Sequence, residues 1–136
     1  MKRSLKAEIP EYRLLIAPHL NERTQRHTTI VALETGKPFA AFRYALNVHE
    51  LISGKSISYK VVGLSAPRLS LPSPGPASFT TEHESLKGEY TITIEGLDGK
   101  VSSFAVRISP RQVKVTKPVG GGMIELVTDE KLWPSR

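Results

Sequence analysis

The most strongly patterned segment of the chain is Gly88–Ile108, which reads GEYTITIEGLDGKVSSFAVRI. Two runs within it alternate apolar with polar side chains, and the apolar positions are Tyr90, Ile92, Ile94, Phe104, Val106 and Ile108. A period of two puts one set of side chains on a buried face of a strand and the other on an exposed face. Asp98-Gly99, a dipeptide typical of tight hairpin turns, lies between the runs. The segment therefore predicts two antiparallel strands joined by a short turn.

Strand patterns recur on both sides of this hairpin. Thr28–Leu33 is β-branched and apolar, and a turn signal follows it at 35–38. Ser56–Leu64 alternates like the hairpin strands, and short apolar runs occur at 79–81 and 113–115. The 136 residues include ten prolines and ten glycines, which place turns at short intervals. This spacing of short strands predicts an all-β domain.

The segment 38–53 is open to two interpretations. Apolar residues from Phe42 to Val48 occupy every second position, as in a strand. Apolar residues from Ala41 to Ile52 also fall at helical spacing, with Pro38 and Gly54 where a helix would begin and end. We favour the strand, because the β-branched run and the turn before it have the pattern of a hairpin.

The run Leu86–Ile94, LKGEYTITI, resembles the late strands of bacterial immunoglobulin-like sandwich domains. Those domains often carry a Gly-x-Tyr-Thr-x-Thr run, then an Asp-Gly hairpin, then a last strand of the Phe-x-Val-x-Ile type, as at Phe104–Ile108. The Gly-Lys-Pro turn at 36–38 is also similar to turns near their first strands. The resemblance covers about residues 26–109. It implies an immunoglobulin-like antiparallel β-sandwich of about seven strands.

The same resemblance implies a structural corner formed by Gly88, Tyr90, Asp98 and Gly99. In such a corner the tyrosine ring enters the core and its hydroxyl hydrogen-bonds to backbone upstream. The chain departs from antibody domains in having no cysteine, and its only tryptophan, Trp133, lies near the end. Since sandwich folds serve many unrelated functions, the resemblance implies a fold and no active site.

We expect three parts along the chain. Residues 1–25 predict an irregular N-terminal arm, with Tyr12–Ala17 as a short edge strand. Residues 26–117 would form the sandwich, in which the proline-rich segment 65–78 is a long crossing loop. Residues 118–136 would form a glycine hinge and a C-terminal tail.

Patterns for catalysis and for metal binding are absent from the sequence. The lack of cysteine removes disulfides, thiol catalysis and cysteine zinc sites. The histidines lack the spacing of a metal site, and they are His19, His27, His49 and His83. Gly120–Gly122 has no following Lys-Ser or Lys-Thr for phosphate binding, and no serine has a nucleophile motif. We therefore expect no catalytic residue, metal or cofactor. An enzyme or metal carrier would require His49 and His83 to meet in the fold.

The net charge of +6 is concentrated in a late segment and at the N-terminus. Residues 100–117 carry five basic side chains and no acidic one. Four of them are candidates for binding a polyanion, either nucleic acid or an anionic polysaccharide, on a basic strand face, and these are Arg107, Arg111, Lys114 and Lys117. Nucleic acid is not favoured as the ligand, because the segment lacks exposed aromatic residues for stacking. Lysine and arginine that protect a sheet edge from unwanted pairing explain the same residues.

The function that we expect is a non-catalytic interaction module that binds a protein or a glycan. Val113–Val115 and Ile124–Val127 are candidates for adding strands to a partner's sheet or for joining two copies in a homodimer. No apolar run approaches the roughly 18 residues of a membrane-spanning helix. The basic start of the chain lacks the apolar region of a signal peptide. We expect a cytoplasmic protein if the sequence is complete, and an extracytoplasmic one if a leader has been removed.

Overall fold

The computed structural model describes residues 11–36, 45–65, 78–120 and 123–133. Within these residues nine strands form one mixed sheet, followed by a single 3-10 turn at Glu130–Leu132. The strands are β1 Tyr12–Asn21, β2 Arg26–Thr35, β3 Ala45–Ser53, β4 Ser56–Ser65, β5 Ser78–His83, β6 Gly88–Glu95, β7 Val101–Ser109, β8 Gln112–Lys117 and β9 Ile124–Val127. Their order is β8-β7-β6-β4-β3-β5-β2-β1-β9, and the sheet curls into a half-barrel.

The predicted seven-strand antiparallel sandwich of immunoglobulin type is wrong, although the all-β character is confirmed. One curled sheet surrounds the core in place of two facing sheets. Its strands are not all antiparallel, because β4 runs parallel to β6 and β1 runs parallel to β9. Alternation along a strand indicates which face is buried. The alternation does not indicate which strand is the neighbour of a given strand, or whether the two run parallel or antiparallel. A curled mixed sheet and a sandwich therefore have the same local sequence pattern.

β1 and β9 belong to the same sheet as the middle of the chain, whereas the sequence placed them in an arm and a tail. β1 lies between β2 and β9 and pairs over its whole length with β2, from Tyr12 opposite Thr35 to Asn21 opposite Arg26. β9 pairs in parallel with the first four residues of β1. The described parts of residues 1–25 and 118–136 are therefore integral to the fold.

The main core fills the concave side of the sheet, and its largest fully buried side chains include Tyr59, Phe104, Leu14 and Ile16. A smaller cluster covers the outer face of β1 and β2 and consists of Leu15, Ala17, Ala32, Val127 and Trp133. β1 is therefore buried on both faces, which explains its continuous apolar run.

The hairpin predicted at Gly88–Ile108 is confirmed as β6 and β7, which pair antiparallel. The Gly99 N–H donates to the Gly96 carbonyl at 3.0 Å, and the Gly96 N–H donates to the Lys100 carbonyl at 2.9 Å. Gly99 has a φ of +84°, a left-handed conformation that glycine adopts without strain.

The segment 38–53 was open to interpretation as a strand or a helix, and its residues 45–53 form the strand β3. Its first part, and most of the predicted loop at 65–78, lie outside the described residues.

Among the described residues, no helix has the length and apolar character that a membrane crossing requires.

Candidate binding cleft at the seam of the sheet

The two ends of the curled sheet approach each other where β1 comes close to β8. In the described part of the chain no strand ladder joins these two strands. β9 pairs only with Tyr12–Leu15, so the same edge of β1 continues beyond β9 from Ile16 onward. Among the described strands, β8 is bonded to β7 alone. Two strand edges therefore lie near each other across a seam without main-chain pairing.

Two adjoining hollows of about 430 Å³ and 320 Å³ lie at this seam and share Pro18 and Arg111. We call them together the seam cleft. Its lining residues are Pro18, His19, Leu20, His27, Pro110, Arg111, Gln112, Val113, Thr128, Asp129, Glu130 and Lys131. The cleft is bounded by the second half of β1, the turn between β7 and β8, the start of β8 and the segment after β9.

The acidic side chains of the seam cleft bind groups of this chain. The Asp129 carboxylate accepts a hydrogen bond from the Lys131 N–H at 3.0 Å. Both carboxylate oxygens of Glu130 lie 3.0 Å from Nδ1 of His19. The cations differ, because neither the Arg111 guanidinium nor the Lys131 ammonium makes an ion pair or a hydrogen bond with any described residue. Arg111 and Lys131 are therefore the charged groups of the described cleft lining that lack a partner.

The four basic residues predicted to bind a polyanion lie in two places. Arg107 and Lys114 are opposite each other on the outer face of β7 and β8, and Lys117 lies opposite Ala105 on the same face. Arg107 Nη2 is 3.5 Å from Oε1 of Glu89, and the Thr116 hydroxyl donates to the same carboxylate at 2.8 Å. Arg111 is separated from the other three, because it lies in the turn before β8 and lines the seam cleft.

The residues of the predicted corner occupy the two ends of the β6–β7 hairpin. At one end the Tyr90 ring is buried in the main core, and its hydroxyl accepts a hydrogen bond from the Lys87 N–H at 3.3 Å. The Lys55 ammonium lies 4.7 Å from the centre of the Tyr90 ring, and Gly88 has a φ of +102°. Asp98 and Gly99 form the turn at the other end, where the Asp98 carboxylate accepts from the Lys100 N–H. These contacts hold the hairpin together and do not form a ligand site.

His49 and His83, which a metal carrier would bring together, differ in their surroundings. Glu50 lies opposite the buried Tyr59 on the concave side of the sheet, and Oε2 of Glu50 is 2.8 Å from Nε2 of His83. His49 precedes Glu50 on the same strand and therefore points to the opposite face. In the described ranges there is no group of three or more residues that could hold a metal ion.

Tyr59 lies beside Glu50 and is 1% exposed. Its hydroxyl has no hydrogen-bond partner among the described residues. Burial first, and then the nearby Glu50 carboxylate, raise the pKa of this hydroxyl well above its usual value. The phenol therefore stays protonated to a higher pH than an ordinary tyrosine does.

The sequence singled out Arg111 but not the seam cleft around it. Lys131 and Pro18 are far from Arg111 along the chain, and the closure of the sheet brings all three to one cleft. No periodicity or motif signals such a meeting. Comparison of the chain with protein-family models, with curated proteins and with solved structures gives no match.

Proposed function

We propose that this chain is a non-catalytic protein-interaction module that accepts an extended segment of a partner along the free edge of β8. One observation carries the proposal. Within the described ranges β8 is bonded on one side only, and its first residues line the seam cleft. An edge strand presents unpaired N–H and C=O groups, and an extended peptide satisfies them by adding a strand to the sheet.

The position of β8 suits this role. Val113 is buried in the main core and fixes the start of the strand. Val115 lies opposite Val106 and is 37% exposed, so it offers apolar surface to an added strand. The exposed Lys114 and Lys117 restrict the edge to partners whose charge suits them.

A second copy of this chain is a less favourable partner at β8. Pairing β8 with β8 brings Lys114 and Lys117 of each copy toward the same residues of the other. Like charges on neighbouring strands destabilise a sheet. Charge therefore favours a different protein over a homodimer formed through this edge.

The proposal is tested by selecting peptides from a random display library on the intact chain. We expect the selected peptides to change the amide resonances of Gln112–Lys117, because those residues would pair with them. Val115→Lys should abolish binding, since an inward-pointing charge on an edge strand blocks strand addition. Val101→Lys makes the same substitution at an exposed valine on the outer face of β7, so it should bind like the parent.

Peptides that bind the Val115→Lys variant undiminished, or that change resonances only on another face, would contradict the proposal. Point variants are needed because truncation after Pro110 would remove Val113, Met123 and Ile124 from the main core. A shortened chain would lose its fold together with any partner.

A second candidate function is polyanion binding on the outer face of β7 and β8. The observation in its favour is that Arg107, Lys114 and Lys117 share this face. Glu89 weakens the case, because its carboxylate lies among these cations. If this function holds, binding to heparin or single-stranded DNA falls steeply with salt, and charge reversal of the three residues lowers it further. Absence of binding at low salt would contradict it.

A further inference from the structure

We infer that the segment bound at the seam cleft is acidic, with carboxylates that meet Arg111 and Lys131 while its backbone pairs with β8. This inference rests on the proposed function and names the chemistry of the partner. It also assigns a binding role to Lys131, which no sequence pattern singled out.

Two cations of the cleft without a partner favour an anionic occupant. Arg111, before β8, and Lys131, after β9, both line the cleft and have no partner among the described residues. The acidic lining residues in the same ranges, Asp129 and Glu130, already interact with groups of this chain. An acidic segment in the cleft would bring carboxylate acceptors to both cations.

The backbone on either side of the cleft favours pairing with β8. Pro18 contributes the β1 wall, and a proline has no N–H to donate to an added strand. Gln112 and Val113 contribute the β8 wall and have main-chain donors and acceptors. Because Arg111 directly precedes Gln112, a strand paired with the start of β8 would pass beside its guanidinium. Guanidinium groups bind carboxylates through two parallel hydrogen bonds.

The lining of the cleft favours a peptide over nucleic acid. Its described lining residues include no phenylalanine, tyrosine or tryptophan. Proteins that bind single-stranded nucleic acid stack the bases on such side chains as well as neutralising the phosphates. A peptide needs main-chain partners, which β8 offers, and its carboxylates would be acceptors for Arg111 and Lys131.

The test uses a synthetic probe, acetyl-Val-Glu-Val-Glu-Val-Glu-amide, and its counterpart with glutamine in place of glutamate. Affinities for the intact chain are measured by calorimetry at about 0.15 M salt, where the screening length is about 8 Å, and the contact site is mapped on the amide resonances. We expect the glutamate peptide to bind at Arg111–Val115 and the glutamine peptide to bind about tenfold more weakly. Arg111→Gln and Lys131→Gln should each weaken the glutamate peptide about fivefold.

Arg107→Gln and Lys87→Gln are matched controls, because each removes one exposed positive charge that lies outside both β8 and the cleft lining. We expect them to change the affinity less than about twofold, since salt screens charges that the peptide does not touch. Equal loss in the controls would overturn the inference and indicate a diffuse polyanion surface. Competition by an oligothymidylate of equal charge at equal concentration would overturn it in favour of nucleic acid.

The failure of the inference and the failure of the proposed function give different results. If both peptides bind β8 equally well, strand addition stands and the acidic preference is wrong. If the glutamate peptide depends on Arg111 and Lys131 but binds the Val115→Lys variant normally, the acidic site stands and strand addition is wrong. If neither peptide binds, the inference is overturned.

Discussion

Arg13 connects three parts of the fold on the outer face of the sheet. Its Nη1 lies 3.6 Å from Oε1 of Glu34, whose side chain is buried. Its Nε donates to Glu125 on β9 at 3.1 Å, and its guanidinium lies 5.8 Å from the centre of the Trp133 ring. A buried carboxylate is stable only with compensating partners, so Arg13 stabilises β2 and attaches β9 and the last residues to it.

We predict that Arg13→Met lowers the free energy of unfolding by about 2 kcal/mol. The loss is smaller than for a fully buried pair, because Arg13 is partly exposed and Glu34 has a further interaction. Urea denaturation measures the effect. Arg26→Met breaks the exposed pair with Glu84 and should cost less than about 0.5 kcal/mol. Equal losses in the two variants would show that the buried Glu34 side chain gains no more stability from Arg13 than an exposed pair provides.

Glu82 makes the free energy of unfolding depend on pH in the acid range. The Thr28 hydroxyl and then the Asn21 amide donate hydrogen bonds to its carboxylate at 2.7 Å and 3.1 Å, and they lower its pKa. A lowered pKa adds stability at pH values above the ordinary glutamate pKa, and this stability is lost as the pH falls through the lowered value. We predict that Thr28→Val raises the pKa of Glu82, as followed by its carboxyl resonance, and that Glu82→Gln loses less stability on acidification than the parent. An unchanged titration in Thr28→Val would contradict this account.

At the scale of elements, the β6–β7 turn fits tightly against β1. The Tyr12 hydroxyl accepts a hydrogen bond from the Leu97 N–H at 3.1 Å. A Cβ added at Gly96 would lie 2.9 Å from Cε2 of Tyr12 and 3.2 Å from Cε of Met123. The missing side chain of Gly96 is therefore what lets the turn, β1 and the residue before β9 meet.

We predict that Gly96→Ala lowers the free energy of unfolding by about 1–3 kcal/mol because of overpacking, and that it shifts the Met123 methyl resonance. Gly99→Ala is the comparison, because a Cβ there meets no atom within 4 Å but its φ is +84°. Backbone strain alone should cost Gly99→Ala about 1 kcal/mol and should leave the Met123 methyl unchanged. If the Met123 methyl resonance shifted in Gly99→Ala and stayed unchanged in Gly96→Ala, the close contact would not be at Gly96 and the account would be wrong.

At the scale of the whole molecule, the last described residues cover a second apolar face. Trp133 is 8% exposed and packs with Leu15, Ala17, Ala32 and Val127 on the outer side of β1 and β2. The main core lies on the concave side and does not include this tryptophan. The fold therefore buries β1 between two apolar layers.

We predict that Trp133→Ala lowers the free energy of unfolding by about 3 kcal/mol while the β-sheet circular dichroism is kept. Trp133→Phe should lose less, because it retains most of the apolar contact. Since Trp133 is the only tryptophan, its fluorescence should shift to longer wavelength in Arg13→Met if that variant loosens the tail. Loss of the sheet signal in Trp133→Ala would mean that the two layers are not separate.

Much of the strand content could be predicted from sequence, and the arrangement of the strands could not. Alternation identified β6 and β7, because each has one buried and one exposed face. It failed at β1, where burial on both faces replaces alternation with the run Leu14–Ala17. The seam cleft could not be predicted from the sequence either, because Pro18, Arg111 and Lys131 come together only when the sheet curls. The sequence shows that the segment around Arg111 is basic, but it does not show that Arg111 lies in a cleft.

The central claim is that β8 has a free edge that pairs with an added acidic strand, and amide hydrogen exchange tests it most directly. In an edge strand, about half of the N–H groups face away from the neighbouring strand and exchange fast. We predict fast exchange at alternate residues of Gln112–Lys117 in the free protein. The acidic peptide should slow that exchange, and Val115→Lys should prevent the slowing. Full protection of β8 without peptide, or fast exchange that saturating peptide leaves unchanged, would contradict the claim.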